Sequence, residues 1–273
     1  MHHTLKPPLS LDSSPNLQQH DAEQLRQDIK NYFLQTFSCY ESLFECLTEQ
    51  GFYHKAIALR HPLIFYYGHT ATFFVNKLLL AKLIPERVDP HFEALFAIGV
   101  DEMSWDDLDD RHYEWPSIQA VHAYRQKVKA LVLHFIDTQP LQAPINWQHP
   151  WWAVMMAIEH ERIHLETSSV LIRQQHLEYV LSHPQWRPYT QHAQAPLNSL
   201  VSVPPTDVCL YKTHANPFYG WDNEYGVHKV HVKAFAASRY LVSNQEFLGF
   251  VEDDGYTQPK LWSTEGQAWL EFS

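Results

Sequence analysis

PWWAVMMAIEHERIHLETSSVLIRQ, residues 150–174, carries the strongest structural and chemical pattern in the chain. Its apolar residues recur at three- and four-residue intervals, which marks an amphipathic helix opening near Pro150. Within it His160 and His164 stand four apart, so both imidazoles project from one helical face, close enough to share a metal ion. That face continues through Ala153, Met156 and Ala157 on one side and Ser168 and Leu171 on the other. The two histidines therefore fall in the stripe expected to face the interior of a bundle. Glu166 lies about 200° around the helix from His164 and suits a supporting role better than direct ligation. The chain holds 19 histidines in 273 residues. Random placement alone yields about one pair at this spacing, so spacing by itself does not separate a metal site from hydrogen-bonded core histidines.

Working outward, three more amphipathic segments precede this one. Residues 21–48 carry Leu25, Ile29, Phe33, Phe37, Phe44 and Leu47 on one face, with Asp21 as N-cap and Gln24 three residues on. A second helix is predicted from just after His61-Pro62 to Ile84, stopped by Pro85. A third begins near Pro116, with Val121, Tyr124, Val128, Leu131, Val132 and Phe135 as its stripe; the last runs to about Leu181. Four such segments predict a mainly α protein, an antiparallel four-helix bundle over 21–182 behind a polar leader, 1–20. Residues 183–205, with Pro184, Pro188, Pro196, Pro204 and Pro205, read as a linker. Beyond it Val230 and Val232 alternate with Lys229, His231 and Lys233 as in a half-buried strand, and Ser243 with Glu246 forms a capping box opening a helix over Asn244–Val251. The chain then reaches Trp269–Ser273 with no recognisable closing element. Residues 206–273, about 70 in all, are barely enough for an independent domain, so they read as the opening of one.

A formal charge of −11 with scattered Lys and Arg argues against nucleic acid. The first 21 residues hold no apolar run of signal-peptide type, and the apolar stretches 62–74 and 78–84 are short and interrupted by His69, Asn76 and Lys77, so no membrane span is expected. Cys39 and Cys46 are about 10.5 Å apart along a helix, too far for a bridge, which makes a reducing cytoplasm the simplest setting. The acidic patch at 101–110 lacks the glycine and terminal glutamate of an EF-hand and reads as a solvated loop.

A third ligand is not chosen by spacing. His69, within FYYGHTATFF (65–74), must be paired if buried, and Gly68 beside it would let another group approach the backbone closely. His122 and His134 on the third helix are equally eligible. The string His160-Glu161-Arg162-Ile163-His164 also satisfies the zinc-protease pattern, with Glu161 as general base, but the metzincin continuation is absent. On that reading Glu161→Gln abolishes activity; on others it leaves metal affinity largely intact.

The phrases HPLIFYYGHTATFFVNKL (61–78), VDEMSWDDL (100–108) and PWWAVMMAIEHERIHLETSSVLIRQ (150–174) resemble 5-histidylcysteine sulfoxide synthases, the iron enzymes of ovothiol biosynthesis. FYGWDNEYGVHKVHVKAF (218–235) and VSNQEFLGFVEDDGY (242–256) resemble the start of the formylglycine-generating-enzyme-like (sulfatase-modifying-factor-like) α+β domain that follows in that family. The resemblance covers the chain from about residue 21 onward. It implies a DinB-like bundle holding Fe(II) through His69, His160 and His164, with Glu166 as the motif's acid. The implied substrates are cysteine, histidine and O2: C–S bond formation removes two electrons, sulfur oxidation two more, and O2 accepts four. The resemblance also implies that substrate-binding and acid-donating groups come partly from the second domain, beyond Ser273, so the chain reads as a fragment. Rival readings are the ergothioneine-type synthase, which takes a trimethylated histidine, a non-catalytic metal-binding bundle, and the zinc protease.

Overall fold

The computed structural model describes residues 13–97, 113–187 and 193–272; the acidic patch at 101–110 and the phrase at 100–108 lie outside them. Four long helices dominate: α1 (Ala22–Phe44), α3 (Leu63–Leu80), α5 (Ile118–Thr138) and α6 (Trp152–Arg173), with short α2 (Glu49–Tyr53) and α4 (Pro90–Leu95) between them. Asp21 caps α1 by accepting from the backbone N–H of Glu23 and Gln24, whereas the Gln24 side chain turns instead to Asp28. Ser117 caps α5 through the Ala120 N–H. Two predicted ends move. α3 stops at Leu80 rather than Ile84, because Lys82 adopts φ 58° and the Leu83 N–H turns back to the Leu78 carbonyl. α6 stops at Arg173 rather than Leu181. The chain then folds back along the end of α1, where Thr48 N–H reaches the Tyr179 carbonyl and Leu181 N–H the Cys46 carbonyl.

α3 packs against α5 and α6, and α1 closes the other side of both. Because α3 has neighbours nearly all round, residues 63–72 are all buried, and it carries little polar surface. Two apolar clusters result. One joins Phe33, Phe37, Phe74, Val128, Trp151 and Ile158; the other joins Tyr40, Phe44, Phe65, Phe96, Val121 and Leu171. Between them along the helices lies a polar layer holding His69, Thr70, Arg125, His160 and Glu161, all buried.

The chain divides into two compact units: residues 1–188 with 212–226, and residues 189–211 with 227–273. In the first unit, the returning 212–226 segment is held by the Pro217 carbonyl, which accepts from the Leu17 N–H, and by Tyr219, which is buried in the core. In the second, β1 (Leu200–Val203) pairs antiparallel with β4 (Phe235–Ser238), Leu200 opposite Ser238 and Val203 opposite Phe235. β2 (Thr206–Lys212) and β3 (Gly226–Val232) form a separate two-stranded ladder. The expected capping box is present: Ser243 Oγ accepts from the Glu246 N–H, the Glu246 carboxylate accepts from the Ser243 N–H, and α7 runs Asn244–Glu252. The strand at 229–233 departs from expectation, since β3 is exposed along both faces with only Val232 partly covered. A further helix, α8 (Thr264–Phe272), occupies the stretch in which the sequence shows no closing element. Among the described residues of this unit no apolar side chain is buried. Cys39, Cys46 and Cys209 are free thiols, and no helix among the described residues is long and apolar enough to cross a membrane.

Candidate metal centre

α6 supplies two rings one turn apart, and α3 supplies the third. The His160 Nε2 lies 3.1 Å from the His164 Nε2 and 3.3 Å from the His69 Nε2, and one donor atom from each residue falls within 4.8 Å of the others. Three imidazoles around one ion with metal–nitrogen bonds of about 2.1 Å stand roughly 3.0–3.4 Å apart, so the spacing fits a shared cation. His122 and His134 stay outside this cluster: His122 Nδ1 is hydrogen-bonded to the Tyr67 hydroxyl, 2.8 Å away, on another side of α3.

The tautomer of His69 is fixed by its surroundings. The Phe96 carbonyl, 2.7 Å away, can only accept, so His69 Nδ1–H donates to it and the Nε2 lone pair is left facing the other two rings. Gly68 makes that bond reachable. A Cβ there would sit 2.5 Å from the Phe96 ring, so only glycine lets Phe96 lie against α3 and present its carbonyl. The close approach expected of Gly68 thus has a named occupant.

Each ring also rests on an aromatic neighbour from α3: His69 on Phe65 (centroids 5.3 Å), His164 beside Tyr66 (5.8 Å), and His160 on Phe73 (3.6 Å, 7° between planes). Burial, followed by the neighbouring histidines, pushes His160 well below the usual imidazole range and His164 down to about 3. Both are therefore neutral near pH 7, the form a metal needs. Neutral imidazole nitrogens gathered at one point in this way suit a shared cation.

Glu161 departs from the protease pattern. It is fully buried, and its Oε1 accepts from Arg125 Nη2 at 3.0 Å and Thr70 Oγ1 at 3.1 Å. Arg125, also fully buried, donates further to the Tyr67 carbonyl and Thr70 Oγ1, both at 2.8 Å, and is ringed by Phe37, Tyr40 and Tyr67. Burial raises the Glu161 carboxyl, with Arg125 opposing; burial alone would lower Arg125, but Glu161 beside it holds the guanidinium high. A carboxylate locked in this way cannot take a proton from a water on the cleft side, so the zinc-protease reading fails on geometry. Glu166 is exposed, and its side chain hydrogen-bonds none of the three rings. The buried acid adjoining the histidines is Glu161, not Glu166. A one-residue offset along a helix does not reveal which of the two acids is buried.

His160 and His164 open onto a cleft of about 1060 Å³ within the first unit. Phe73, Trp152, Tyr219 and Trp221 give it an aromatic wall, and Lys77 and Asp222 contribute its charges. The 212–226 segment closes one side, with Tyr219 packed on Trp152 at 4.8 Å.

The sequence profile of the DinB superfamily matches residues 32–168. Among curated relatives, Ergothioneine biosynthesis protein 1 of Neurospora crassa is 24% identical over 236 residues, covering 80% of this chain and 27% of the relative. Ergothioneine biosynthesis protein 1 of Schizosaccharomyces pombe is 25% identical over 266 residues, covering 80% and 32%. Hercynine oxygenase of Mycolicibacterium smegmatis is 29% identical over 150 residues, covering 54% and 32%. The chain therefore spans about a quarter to a third of the length of these relatives.

Proposed function

The chain belongs to the DinB superfamily, and from that premise we propose that His69, His160 and His164 hold Fe(II) in an O2-dependent sulfoxide synthase. The observation that carries this is the convergence of three Nε2 atoms beside an open aromatic cleft. The relatives' names support an oxidative enzyme acting on small molecules. Because those names refer to ergothioneine and hercynine, the first reading is the ergothioneine type, which joins cysteine sulfur to the imidazole of a trimethylated histidine. The ovothiol type, which takes free histidine, is the second reading; the long phrases at 61–78 and 150–174 favour it. In either case one oxygen atom of O2 ends on sulfur and the other leaves as water.

Iron(II) bound at the three rings would supply the coupling between O2 reduction and C–S bond formation. The chain's own residues do the rest of what can be assigned. Phe96 fixes the His69 tautomer, Phe65, Tyr66 and Phe73 pack against the rings from the α3 side, and the cleft orients the substrates beside them. Residues 189–211 with 227–273, which take in β1 from the predicted linker at 183–205 and leave 212–226 to the helical unit, are read as part of a formylglycine-generating-enzyme-like domain in place of the predicted 206–273. The exposed apolar side chains of that unit support this, being what an incompletely covered domain presents.

The test is metal analysis of anaerobically purified, Fe(II)-loaded chain, wild type against His69→Ala, His160→Ala and His164→Ala. One iron per chain, lost in every variant, is expected; iron retained without His69 would refute the assignment on α3. Oxygen uptake with cysteine plus either histidine or its trimethylated form then separates the two readings. Metal binding with no uptake from either pair would leave a non-catalytic metal-binding bundle.

A further inference from the structure

The charges of the cleft point to the kind of molecule it takes. Its lining carries one lysine, Lys77, and one carboxylate, Asp222. Lys77 stands two turns beyond His69 on α3, and its ammonium makes no hydrogen bond or ion pair with any described residue. Its ammonium rests instead over the Phe73 ring, 4.8 Å from the centroid, and Phe73 is the ring stacked on His160. Lys129 on α5 is likewise half-buried, without a carboxylate partner, and rests over Phe37, so that posture alone carries no signal; Lys77 differs in lining the cleft one aromatic ring away from a candidate ligand. A solvated lysine drawing its stem over a neighbouring ring would look similar, but it would not need to stand beside the histidines in a cleft that also presents an acid.

We propose that Lys77 is the carboxylate anchor of this cleft: an α-amino acid binds with its carboxylate on the Lys77 ammonium and its side chain turned toward His69, His160 and His164. The inference rests on the function proposed above and adds the group that binds the substrate. It holds for cysteine, histidine and trimethylated histidine alike, since all three carry the same carboxylate. Asp222 supplies the complementary charge for the α-nitrogen, so the cleft matches a zwitterion in place of a simple anion.

The test is calorimetric titration of the full chain under anaerobic conditions with Fe(II) present. Wild type, Lys77→Met and Lys77→Arg are each titrated with cysteine and histidine, and with the decarboxylated amines cysteamine and histamine. Wild type should prefer the carboxylate-bearing ligand of each pair. Lys77→Met should weaken cysteine or histidine by roughly ten- to a hundredfold, as expected for loss of a charge-assisted contact, and leave the amines unchanged. Lys77→Arg should restore most of the loss, and iron content should not change. A wild-type chain that binds acid and amine equally, or binds neither, overturns the anchor, as does a Lys77→Met variant that weakens both or neither. Binding is read without turnover. An intact Lys77 effect with no oxygen uptake would therefore retain the anchor and remove the sulfoxide-synthase reading.

Discussion

Arg125→Met is the perturbation whose outcome the structure fixes most closely. The guanidinium joins three helices: it donates to Glu161 on α6, to Tyr67 and Thr70 on α3, and lies 3.4 Å from Glu41 on α1. Methionine fills similar space among Phe37, Tyr40 and Tyr67 but leaves the Glu161 carboxylate buried and uncompensated. Breaking one partner of such a pair costs about 3–5 kcal/mol. A second route sets a ceiling. Glu161 can escape by taking up a proton, and moving a carboxyl from its usual value of about 4.3 to pH 7 costs about 3.7 kcal/mol. The two figures agree, so a loss of about 3–4 kcal/mol is expected at pH 7. The same logic makes the loss shrink by about 1.4 kcal/mol per unit as pH falls, to about 1 kcal/mol near pH 5. Urea unfolding of the metal-free chain followed by circular dichroism, wild type against variant at both pH values, reads this directly. Glu161→Gln added to Arg125→Met should recover much of the deficit, because an amide needs no counter-ion. The Glu161→Gln change alone should also weaken metal retention, since it loosens the tie between residues 69–70 and 160–161; the sequence by itself predicted metal affinity largely intact. A deficit under 1 kcal/mol at pH 7, or one that does not change with pH, would refute the buried pair as the element holding α3 and α6 in register.

Two further outcomes follow from the geometry of the rings. Gly68→Ala places a Cβ 2.5 Å from the Phe96 ring; overpacking of about 1–3 kcal/mol is partly offset by about 1 kcal/mol of helix propensity. Displacing Phe96 frees His69 Nδ1, so Co(II) affinity by absorbance titration should drop about 10–100-fold, and an affinity equal to wild type would show that the carbonyl does not orient the ring. For pH, His160 and His164 titrate lower in the fold than in the unfolded chain, so the unfolded state binds more protons below pH 6.5 and stability declines as pH falls. With a folded value of about 3 for His164, each ring costs at most about 1.4 kcal/mol at pH 5.5 relative to pH 8. A His160→Asn/His164→Asn double variant should lack this dependence in urea unfolding, and a double variant as pH-sensitive as wild type would contradict it.

Much of the bundle was legible in the sequence because its signals are local. Asp21, Pro62 and Pro116 mark helix starts, and the apolar stripes from Leu25 to Phe37 and from Val121 to Phe135 pack into the core as their periodicity requires, Leu131 partly exposed. What could not be read depends on atoms distant in sequence. The end of α3 is set by one left-handed residue, Lys82, where most side chains would continue the helix. The end of α6 is set by hydrogen bonds to Cys46 and Thr48, over 120 residues earlier. The return of 212–226 to the helical unit depends on Leu17 and Trp152, which no spacing rule connects to Tyr219. Spacing also left His69 level with His122 and His134, and only the fold brings His69 to the pair on α6.

The string from His160 to His164 shows why a motif is completed by its surroundings. Successive residues on a helix are about 100° apart, so His160 and Glu161 cannot both face one cleft squarely. In a metalloprotease the helix is turned so that the acid reaches the metal's water. Here the same five residues sit with the acid rotated into the bundle, and Arg125 from α5 and Thr70 from α3 decide that rotation by binding it there. The rotation that removes a general base also steadies the histidines, because Thr70 adjoins His69 and Glu161 adjoins His160. The hydrogen bonds that close the protease reading thus tie together the two helices on which the three rings meet, and the cleft is left with an aromatic wall, Lys77 and Asp222 for whatever binds beside them.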